Sequence, residues 1–283
     1  MTRSSTMKKG IAACVLMMVS QYATAQERII SAGGAVTELI YALGAEQQLV
    51  AVDVTSRVPA EAQLPKIGYH RQLSAEGLMA LAPNRVIGSD EMGPETTLTQ
   101  LKQSGINVDI INTKPTVTGL LERIDDIARL TNTTDKASKI KTDVEQQVKQ
   151  LNSNIPLKSE QKKVLFLLVH EGRPANVAGK NTTADAVITL AGATNPAAEQ
   201  LESYKPLSME AMVSMQPDVI LVSGRSWQTL GGADALLKAL PMLAATPAGK
   251  NKAIETIDGS ALVGGLGLKS LSEAKRLNLA LYP

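Results

Sequence analysis

The sequence predicts an α/β fold of two doubly wound lobes with mostly parallel sheets, joined by one long α-helix and separated by a cleft. Short runs rich in Val and Ile alternate with helical patterns, which is typical of β-α units. A long amphipathic helix divides these units into two sets, and one segment of the first set recurs in the second. The chain is also too long for one small core and suits two lobes of ordinary domain size.

Residues 1–25 have the features of a secretory signal peptide. Arg3, Lys8 and Lys9 form a basic head, an apolar run covers 11–19, and Ala-Thr-Ala at 23–25 is a small-residue cleavage pattern. The apolar run is far shorter than the roughly twenty residues that span a bilayer. We therefore expect a soluble, exported protein.

Removal of this segment limits the chemistry of the mature chain. Cys14 is the only cysteine, so disulfides, thiolate metal sites and cysteine nucleophiles are excluded. It lies inside the apolar run rather than after it, which does not favour lipidation. Loss of three positive charges moves the net charge from +2 to −1, so we expect no nucleic-acid partner.

The elements fall into two lobes on either side of a helix. We predict a first lobe over 26–131, with strands at 28–31, 49–52, 85–87 and 108–111. The connecting segment, 132–154, repeats apolar residues at helical spacing, with Thr134 or Asp135 as its expected cap. The second lobe, 155–283, has predicted strands at 163–169, 218–222 and 253–257.

The two lobes are also supported by an internal repeat, here called the echo, in which a segment of the first lobe recurs in the second. Residues 73–87 are answered by residues 207–221, with Leu, Ser, Glu and Pro in register. Ser74 and Ser208 are expected N-caps, and each is followed by a glutamate in the first helical turn, Glu76 and Glu210. The loops before these helices, 68–72 and 203–206, then lie at strand carboxyl ends, where open α/β sheets bind ligands.

The first of these loops contains Tyr69, His70 and Arg71. A packing role is the ordinary explanation of a loop tyrosine, but a phenolate can also bind ferric iron as an axial haem ligand. Free phenols have a pKa of about 10, so ligation at neutral pH needs help from the metal and from a nearby cation, which Arg71 can supply. Residues i and i+2 of an extended loop share a side; Tyr69 and Arg71 can therefore converge while His70 points away.

Other candidates lie in the second lobe. His170 ends a buried-strand pattern and is either a structural group or an imidazole ligand to iron. Arg173 follows in a turn and can meet an anionic ligand group. Tyr204 and Lys205 lie in the second loop of the echo, and Arg225 follows another strand.

Motifs that would indicate catalysis are absent from the sequence. It contains no G-x-G-x-x-G, Walker lysine, G-x-S-x-G or H-E-x-x-H pattern. We therefore expect a protein that is not an enzyme.

Several stretches resemble a known family. Residues 29–38, the central helix and the repeated L-S-x-E helices resemble the helical-backbone, class III substrate-binding proteins of ABC importers, which serve haem, vitamin B12 and ferric siderophores. GYHRQLSAE at 68–76 is similar to the haem branch, the periplasmic haem-binding proteins of bacterial haem importers, and residues 172–174, 204–208 and 240–249 agree with it.

The resemblance implies a role for each candidate residue. Tyr69 would be the axial iron ligand and Arg71 its hydrogen-bonding partner. Glu76 and Glu210 would dock onto the two halves of a permease dimer in the inner membrane. His170 departs from the commoner family pattern; some members with a histidine here hold haem with ligands from both lobes, or hold two stacked haems, and both alternatives stay open.

The resulting hypothesis is a monomeric periplasmic receptor that captures one or two ferric haems and delivers them to an ABC importer. Arg173, Lys205 and Arg225 are weaker candidates for the haem propionates. The alternative is a receptor of the same fold for a ferric siderophore or cobalamin, whose pocket would lack an iron-bonding side chain. A periplasmic enzyme with a doubly wound fold is the rival from another class.

Overall fold

The computed structural model describes residues 27–169 and 174–283, and within them the side chains of residues 225, 226 and 229 are not described. The predicted signal peptide, residues 1–25, lies outside the described residues. Within the two described ranges, no helix combines the length and the apolar character needed to cross a membrane. The predicted fold class is confirmed, with two α/β lobes and a cleft between them.

The first lobe is built on a four-stranded parallel sheet. Its strands, in the spatial order β2-β1-β3-β4, are β1 (Ile29–Ala32), β2 (Leu49–Val52), β3 (Arg85–Ser89) and β4 (Asn107–Ile111). The predicted strands are confirmed to within two residues at their ends. The helices of this lobe are α1 (Gly34–Ala42), α2 (Ala75–Met79), α3 (Glu95–Gln103) and α4 (Val117–Leu130).

Both faces of this sheet are covered, which explains its nearly continuous apolar strands. Ile29 and Ile87 belong to one buried cluster, whereas their neighbours Ile30 and Val86 belong to another. Successive side chains of a strand point to opposite faces, so each face has its own core. Parallel sheets are typically buried in this way.

The connecting helix is α5 (Thr134–Ser153), which has 20 residues and is therefore about 30 Å long. Its apolar face includes Val144 and Leu151, both buried as the helical spacing predicts. The predicted cap was wrong, because Thr133 is the N-cap and Thr134 already lies in the helix. Asp135 is in the first turn, where a carboxylate favours the helix dipole. The lobe boundaries 26–131, 132–154 and 155–283 stay a prediction.

The second lobe has a five-stranded sheet in the order β7-β6-β5-β8-β9. Its strands are β5 (Val164–Leu168), β6 (Asn176–Ala178), β7 (Tyr204–Pro206), β8 (Val219–Ser223) and β9 (Ile254–Ile257). Its helices are α6 (Thr183–Leu190), α7 (Met209–Ser214), α8 (Gly224–Leu230), α9 (Ala233–Ala239), α10 (Pro247–Lys250) and α11 (Leu268–Leu281). The three predicted strands are β5, β8 and β9, and they are parallel.

Two short antiparallel strands were not foreseen. β6 pairs with β5, and β7 pairs with β6 at the edge of the sheet. Placing 203–206 in a loop was therefore wrong, because Tyr204 and Lys205 belong to β7. Each strand has only three residues, which is too short for a periodic signal, and β7 ends in Pro206, a residue that sheets tolerate at their edges.

The two halves of the echo fold alike. Ser74 accepts a hydrogen bond from Gly77 N (3.3 Å) at the start of α2, and Ser208 accepts one from Ala211 N (3.2 Å) at the start of α7. The expected N-caps are thus confirmed. The residues before Pro83 and Pro217 have matching left-handed φ angles of 47° and 46°, so the same supersecondary unit is used once in each lobe.

The lobes are joined by a shared hydrophobic core as well as by the connecting helix α5. A single buried cluster contains Ile29 and Ile87 from the first sheet, Phe166 and Leu221 from the second, and residues of α5 and α11 that lie between them. The lobes are therefore joined by packed side chains as well as by the chain itself.

Two polar side chains of the first lobe also bind the backbone of the second. Glu38 accepts hydrogen bonds from Leu268 N (3.0 Å) and Lys269 N (2.8 Å), the first residues of α11. Arg123, which is fully buried, donates to the carbonyl of Leu266. These contacts tie α1 and α4 to the loop and helix of the opposite lobe.

Candidate functional site

A cleft with a volume of about 2090 Å³ lies between the lobes. This is about twice the upper end of the usual range for small-molecule pockets, about 300–1,000 Å³. Its walls come largely from residues that follow strand carboxyl ends. They are Val54 after β2, Glu91 after β3, Thr113 after β4, Val169 after β5, Gly224 after β8 and Asp258 after β9. This is the edge at which doubly wound sheets bind ligands.

Tyr69 stands on the wall of the first lobe and is 41% exposed. Its loop begins at Gly68, whose φ of +87° is readily adopted only by glycine. The Gly68 carbonyl accepts a hydrogen bond from Val54 N (2.9 Å), and the Tyr69 carbonyl accepts one from Gln72 N (2.8 Å). The backbone is thus held on both sides of the tyrosine, and its side chain is presented to the cleft.

His70 points the other way, into the lobe. His70 is only 1% exposed. Its Nδ1 lies 2.9 Å from Asp53 Oδ2, and its Nε2 lies 3.7 Å from Glu91 Oε2. The rings of His70 and Tyr69 are in contact, with centroids 4.6 Å apart. The alternation along the loop is therefore as expected, with Tyr69 and Arg71 lining the cleft and His70 buried behind them.

The charges around His70 support one another. Burial lowers the pKa of His70, but its interactions with Asp53 and Glu91 outweigh burial and raise the pKa to about 9. Burial raises the pKa of Asp53, yet hydrogen bonds from His70, Ser56 and Thr55 bring it below the ordinary value. A charged histidine is thus enclosed between carboxylates and positions the loop that carries Tyr69.

Arg71 is paired with Glu91. Its Nη2 donates to Glu91 Oε1, and the guanidinium is half exposed. The pKa of Glu91 is lowered by His70 and then by Arg71, so this carboxylate bridges the buried histidine and the cleft arginine. Glu91 is a site residue that sequence reasoning missed, although its place directly after β3 could have indicated it.

Of the cleft residues predicted in the second lobe, one lines the cleft, one does not, and the others are not described. Tyr204 lines the cleft from β7, with its ring packed edge-on against Phe166 at 6.2 Å, and burial raises its pKa to about 12. Its neighbour Lys205 is exposed and does not line the cleft, as alternation along a strand requires. His170 and Arg173 lie outside the described residues, and so does the side chain of Arg225.

The two glutamates of the echo lie on the outer surface. Glu76 is exposed in the first turn of α2, and Glu210 is exposed in the first turn of α7. The pKa of Glu210 is lowered by hydrogen bonds from its own backbone N–H and from Ser208. Both are therefore accessible anions at matched places on the two lobes.

The cleft contains two further charged residues that the sequence did not indicate, Arg57 from the first lobe and Asp258 from the second. Its apolar lining includes Phe166, Leu168 and Leu240. Among the residues of 27–169 and 174–283, no group of three or more His, Cys, Asp or Glu is arranged to hold a metal ion. The described site thus combines one exposed phenol, paired charges and apolar walls.

Comparison with known proteins identifies the architecture. A family model described as "Periplasmic binding protein" matches residues 29–261. Among curated relatives, a vitamin B12-binding protein of Vibrio parahaemolyticus is 28% identical over 198 residues, which cover 70% of each chain.

Solved structures with higher identity carry a different ligand in their names. The periplasmic heme-binding protein HutB of Vibrio cholerae is 63% identical, with a TM-score of 0.88 over 92% of this chain and 100% of that chain. A periplasmic heme-binding protein from Pseudomonas aeruginosa is 36% identical, with a TM-score of 0.83 over 91% and 93%. BhuT, solved in complex with two hemes, is 35% identical, with a TM-score of 0.81 over 90% and 99%.

Proposed function

Because the chain belongs to the periplasmic binding protein family, we propose that it is a periplasmic receptor that captures haem in its cleft and delivers it to an inner-membrane ABC importer. In this role it is a binding protein and not an enzyme. Residues 1–25 direct its export and are then removed.

The observation that carries this proposal is the exposed phenol of Tyr69 on the cleft wall. Tyrosine is a known axial ligand of ferric haem, and the loop presents this side chain without the packing that encloses Tyr204. Burial holds the pKa of Tyr204 at about 12, so its phenol is poorly suited to act as a phenolate ligand. Tyr69 is therefore assigned to the iron.

Arg71 supports the same assignment from the neighbouring position. Both side chains line the cleft, and a cation close to a phenolate favours its ionised form. The ion pair with Glu91 holds the guanidinium at this wall. Since Glu91 is also in contact with His70, the loop brings a ligand and a supporting cation to one place.

The size and lining of the cleft suit a large and partly apolar cargo. Its volume of about 2090 Å³ exceeds the usual range of about 300–1,000 Å³ by a factor of about two. Partly buried apolar side chains of the second lobe, such as Leu168 and Leu240, also line the cleft. A porphyrin can bury its faces against them while its carboxylates meet the charged residues.

A second ligand from the opposite lobe is part of the proposal. We assign His170 as a second or alternative iron ligand, with Arg173 and Arg225 as candidates for the propionates. The flanking residues Val169 and Pro174 both line the cleft, which supports this assignment. Whether one or two haems are bound is decided by the stoichiometry of the titration below.

Delivery is assigned to Glu76 and Glu210. One exposed glutamate per lobe, each in the first turn of a short capped helix, matches a two-fold partner that offers the same basic site twice. The shared core of the lobes leads us to expect only small closure on binding. The permease would then release the cargo by separating the lobes.

Cobalamin is the second candidate cargo, because several curated relatives are vitamin B12-binding proteins at 25–28% identity. A cobalamin receptor has no need of a tyrosine that bonds to the ligand's metal. The two cargoes are therefore separated by the dependence of binding on the Tyr69 hydroxyl.

The test is an absorbance titration of the mature protein with hemin and, separately, with cyanocobalamin. We expect a Soret change and a high-spin ferric spectrum with hemin, and no binding of cyanocobalamin. Tyr69→Phe, which removes only the hydroxyl, should weaken hemin binding and change this spectrum, whether or not His170 also binds the iron. Tyr41→Phe is the matched control, because Tyr41 belongs to α1 and packs against the core outside the cleft.

The outcomes are distinct. Absence of a Soret change in the wild type, or cobalamin binding without hemin binding, overturns the haem proposal. His170→Ala reports on the second lobe: a changed spectrum supports ligation by His170, and an unchanged one assigns His170 a structural role.

A further inference from the structure

Within the described part of the chain, the side chains that line the cleft include two cations, Arg57 and Arg71, both from the first lobe. Each is paired with a carboxylate. Arg71 binds Glu91 within its own lobe, whereas Arg57 Nη2 lies 3.4 Å from Asp258 Oδ1 of the opposite lobe. A cargo carboxylate that binds either of these two arginines therefore meets a guanidinium that already has a carboxylate partner.

The two pairs differ in how firmly they are held. Glu91 lies close to the buried His70 and also accepts a hydrogen bond from Arg71, so this pair is anchored to the interior of the lobe. Arg57, by contrast, is 70% exposed in its side chain and reaches Asp258 only at the longer distance of 3.4 Å. A long, exposed side chain with one marginal contact is free to change partner at little cost.

Asp258 does not depend on Arg57. Its Oδ2 lies 2.6 Å from Lys269 Nζ, and its Oδ1 accepts hydrogen bonds from Ser260 N (2.9 Å) and Ser260 Oγ (2.8 Å). When Arg57 leaves, Asp258 keeps three donors, and no unpaired anion remains in the cleft wall. The penalty that normally follows loss of a charged partner is therefore avoided.

From this asymmetry we propose that Arg57 binds a carboxylate of the cargo, exchanging Asp258 for it, and so makes the cleft select porphyrins with free carboxylates. The guanidinium fork matches a carboxylate in a bidentate geometry. Arg71 remains with Glu91 and Tyr69, so the two cleft arginines have separate tasks. The inference rests on the proposed function, because it assumes a haem cargo.

The test compares hemin with its dimethyl ester, in which both propionates are blocked, as ligands of the mature protein. We expect the wild type to prefer hemin by about tenfold or more, the value of one charge-assisted hydrogen bond. Arg57→Gln should reduce this preference by about threefold or more, with the remainder due to other propionate contacts such as Arg173 or Arg225, and should leave the affinity for the ester unchanged. Arg57→Lys should retain an intermediate preference, because lysine keeps the charge without the fork.

Arg129→Gln is the matched control. Arg129 is also an exposed arginine, 66% exposed in its side chain, and is paired with an aspartate, Asp126, at 3.0 Å, but it lies on α4 away from the cleft. It should keep the wild-type preference. Thermal unfolding of all variants checks that the fold is intact, which the exposure of Arg57 leads us to expect.

The outcomes separate this inference from the proposed function. If the wild type gives no Tyr69-dependent haem spectrum, the proposed function fails. If that spectrum is present but Arg57→Gln keeps the full preference for hemin over the ester, or if the wild type shows no preference, the assignment of Arg57 is overturned.

Discussion

Glu38 should stabilise the fold by capping a helix of the opposite lobe. Its carboxylate accepts hydrogen bonds from the backbone N–H groups of Leu268 and Lys269, at 3.0 and 2.8 Å. The first N–H groups of a helix have no partner within the helix, and the N-cap residue of α11 is Gly267, which has no side chain to supply one. Glu38→Ala would remove the acceptor of two donors at once.

The magnitude follows from the environment of the two donors. An orphaned buried donor costs about 1–3 kcal/mol, and because Glu38 is half-buried, water can reach part of the gap. We expect Glu38→Ala to lower the free energy of unfolding by about 2–3 kcal/mol. Burial raises the pKa of Glu38 despite its two backbone hydrogen bonds, so the charge itself contributes little. Glu38→Gln keeps one of the two oxygen acceptors and replaces the other by a donor, so it should lower the free energy of unfolding by about 1–2 kcal/mol, less than Glu38→Ala.

Equilibrium unfolding in urea, followed by circular dichroism at neutral pH, measures these differences. Glu145→Ala is the matched control, because Glu145 is an exposed glutamate within α5 and surface substitutions usually change stability by less than about 0.5 kcal/mol. The reasoning is refuted if Glu38→Ala is no more destabilising than Glu145→Ala, or if Glu38→Gln is as destabilising as Glu38→Ala.

Two further predictions concern buried or partly buried acids. Asp53→Ala leaves the charged ring of His70 without its 2.9 Å partner. Urea unfolding should show a free energy of unfolding that is about 3–5 kcal/mol lower than in the wild type. A loss below about 1 kcal/mol would contradict the buried pair. Burial raises the pKa of Asp258, but hydrogen bonds from Lys269 and Ser260 outweigh it and lower the pKa to about 2. Its carboxylate therefore adds about 2 kcal/mol of stability that is present above about pH 4 and lost as the pH falls toward 2. Asp258→Asn should remove this contribution. The variant should therefore be less stable than the wild type in urea above about pH 4, and the difference in free energy of unfolding should shrink as the pH falls toward 2. A difference that stays constant with pH would contradict the prediction.

Much of the scaffold could be predicted because its signals are local. The parallel strands β1, β2, β5 and β8 contain adjacent apolar residues, and α5 repeats them at helical spacing. The caps Ser74 and Ser208 act within three residues of themselves. Strands β6 and β7 could not be predicted, since three residues form no period and their stability comes from pairing, of β6 with β5 and of β7 with β6.

The candidate site could be predicted only in part. Alternation along the loop separates Tyr69 and Arg71 from His70, and the structure has this arrangement. The same rule applied to β7 would have turned Lys205 away from the cleft, had the strand been recognised. Arg57 gave no signal, because an exposed arginine in a loop has many ordinary explanations.

The sequence by itself determined the two α/β lobes, the helix between them, the repeated capped helices and the side of the loop on which Tyr69 lies. These features depend on residues a few positions apart, whose geometry follows from helix and strand periodicity. Only the tertiary structure decided which charges meet. Arg57 and Asp258 are 201 positions apart, and Glu38 and Leu268 are 230 apart. Such pairs exist because the packing of the lobes brings distant segments together, and no local pattern records which distant segment that will be.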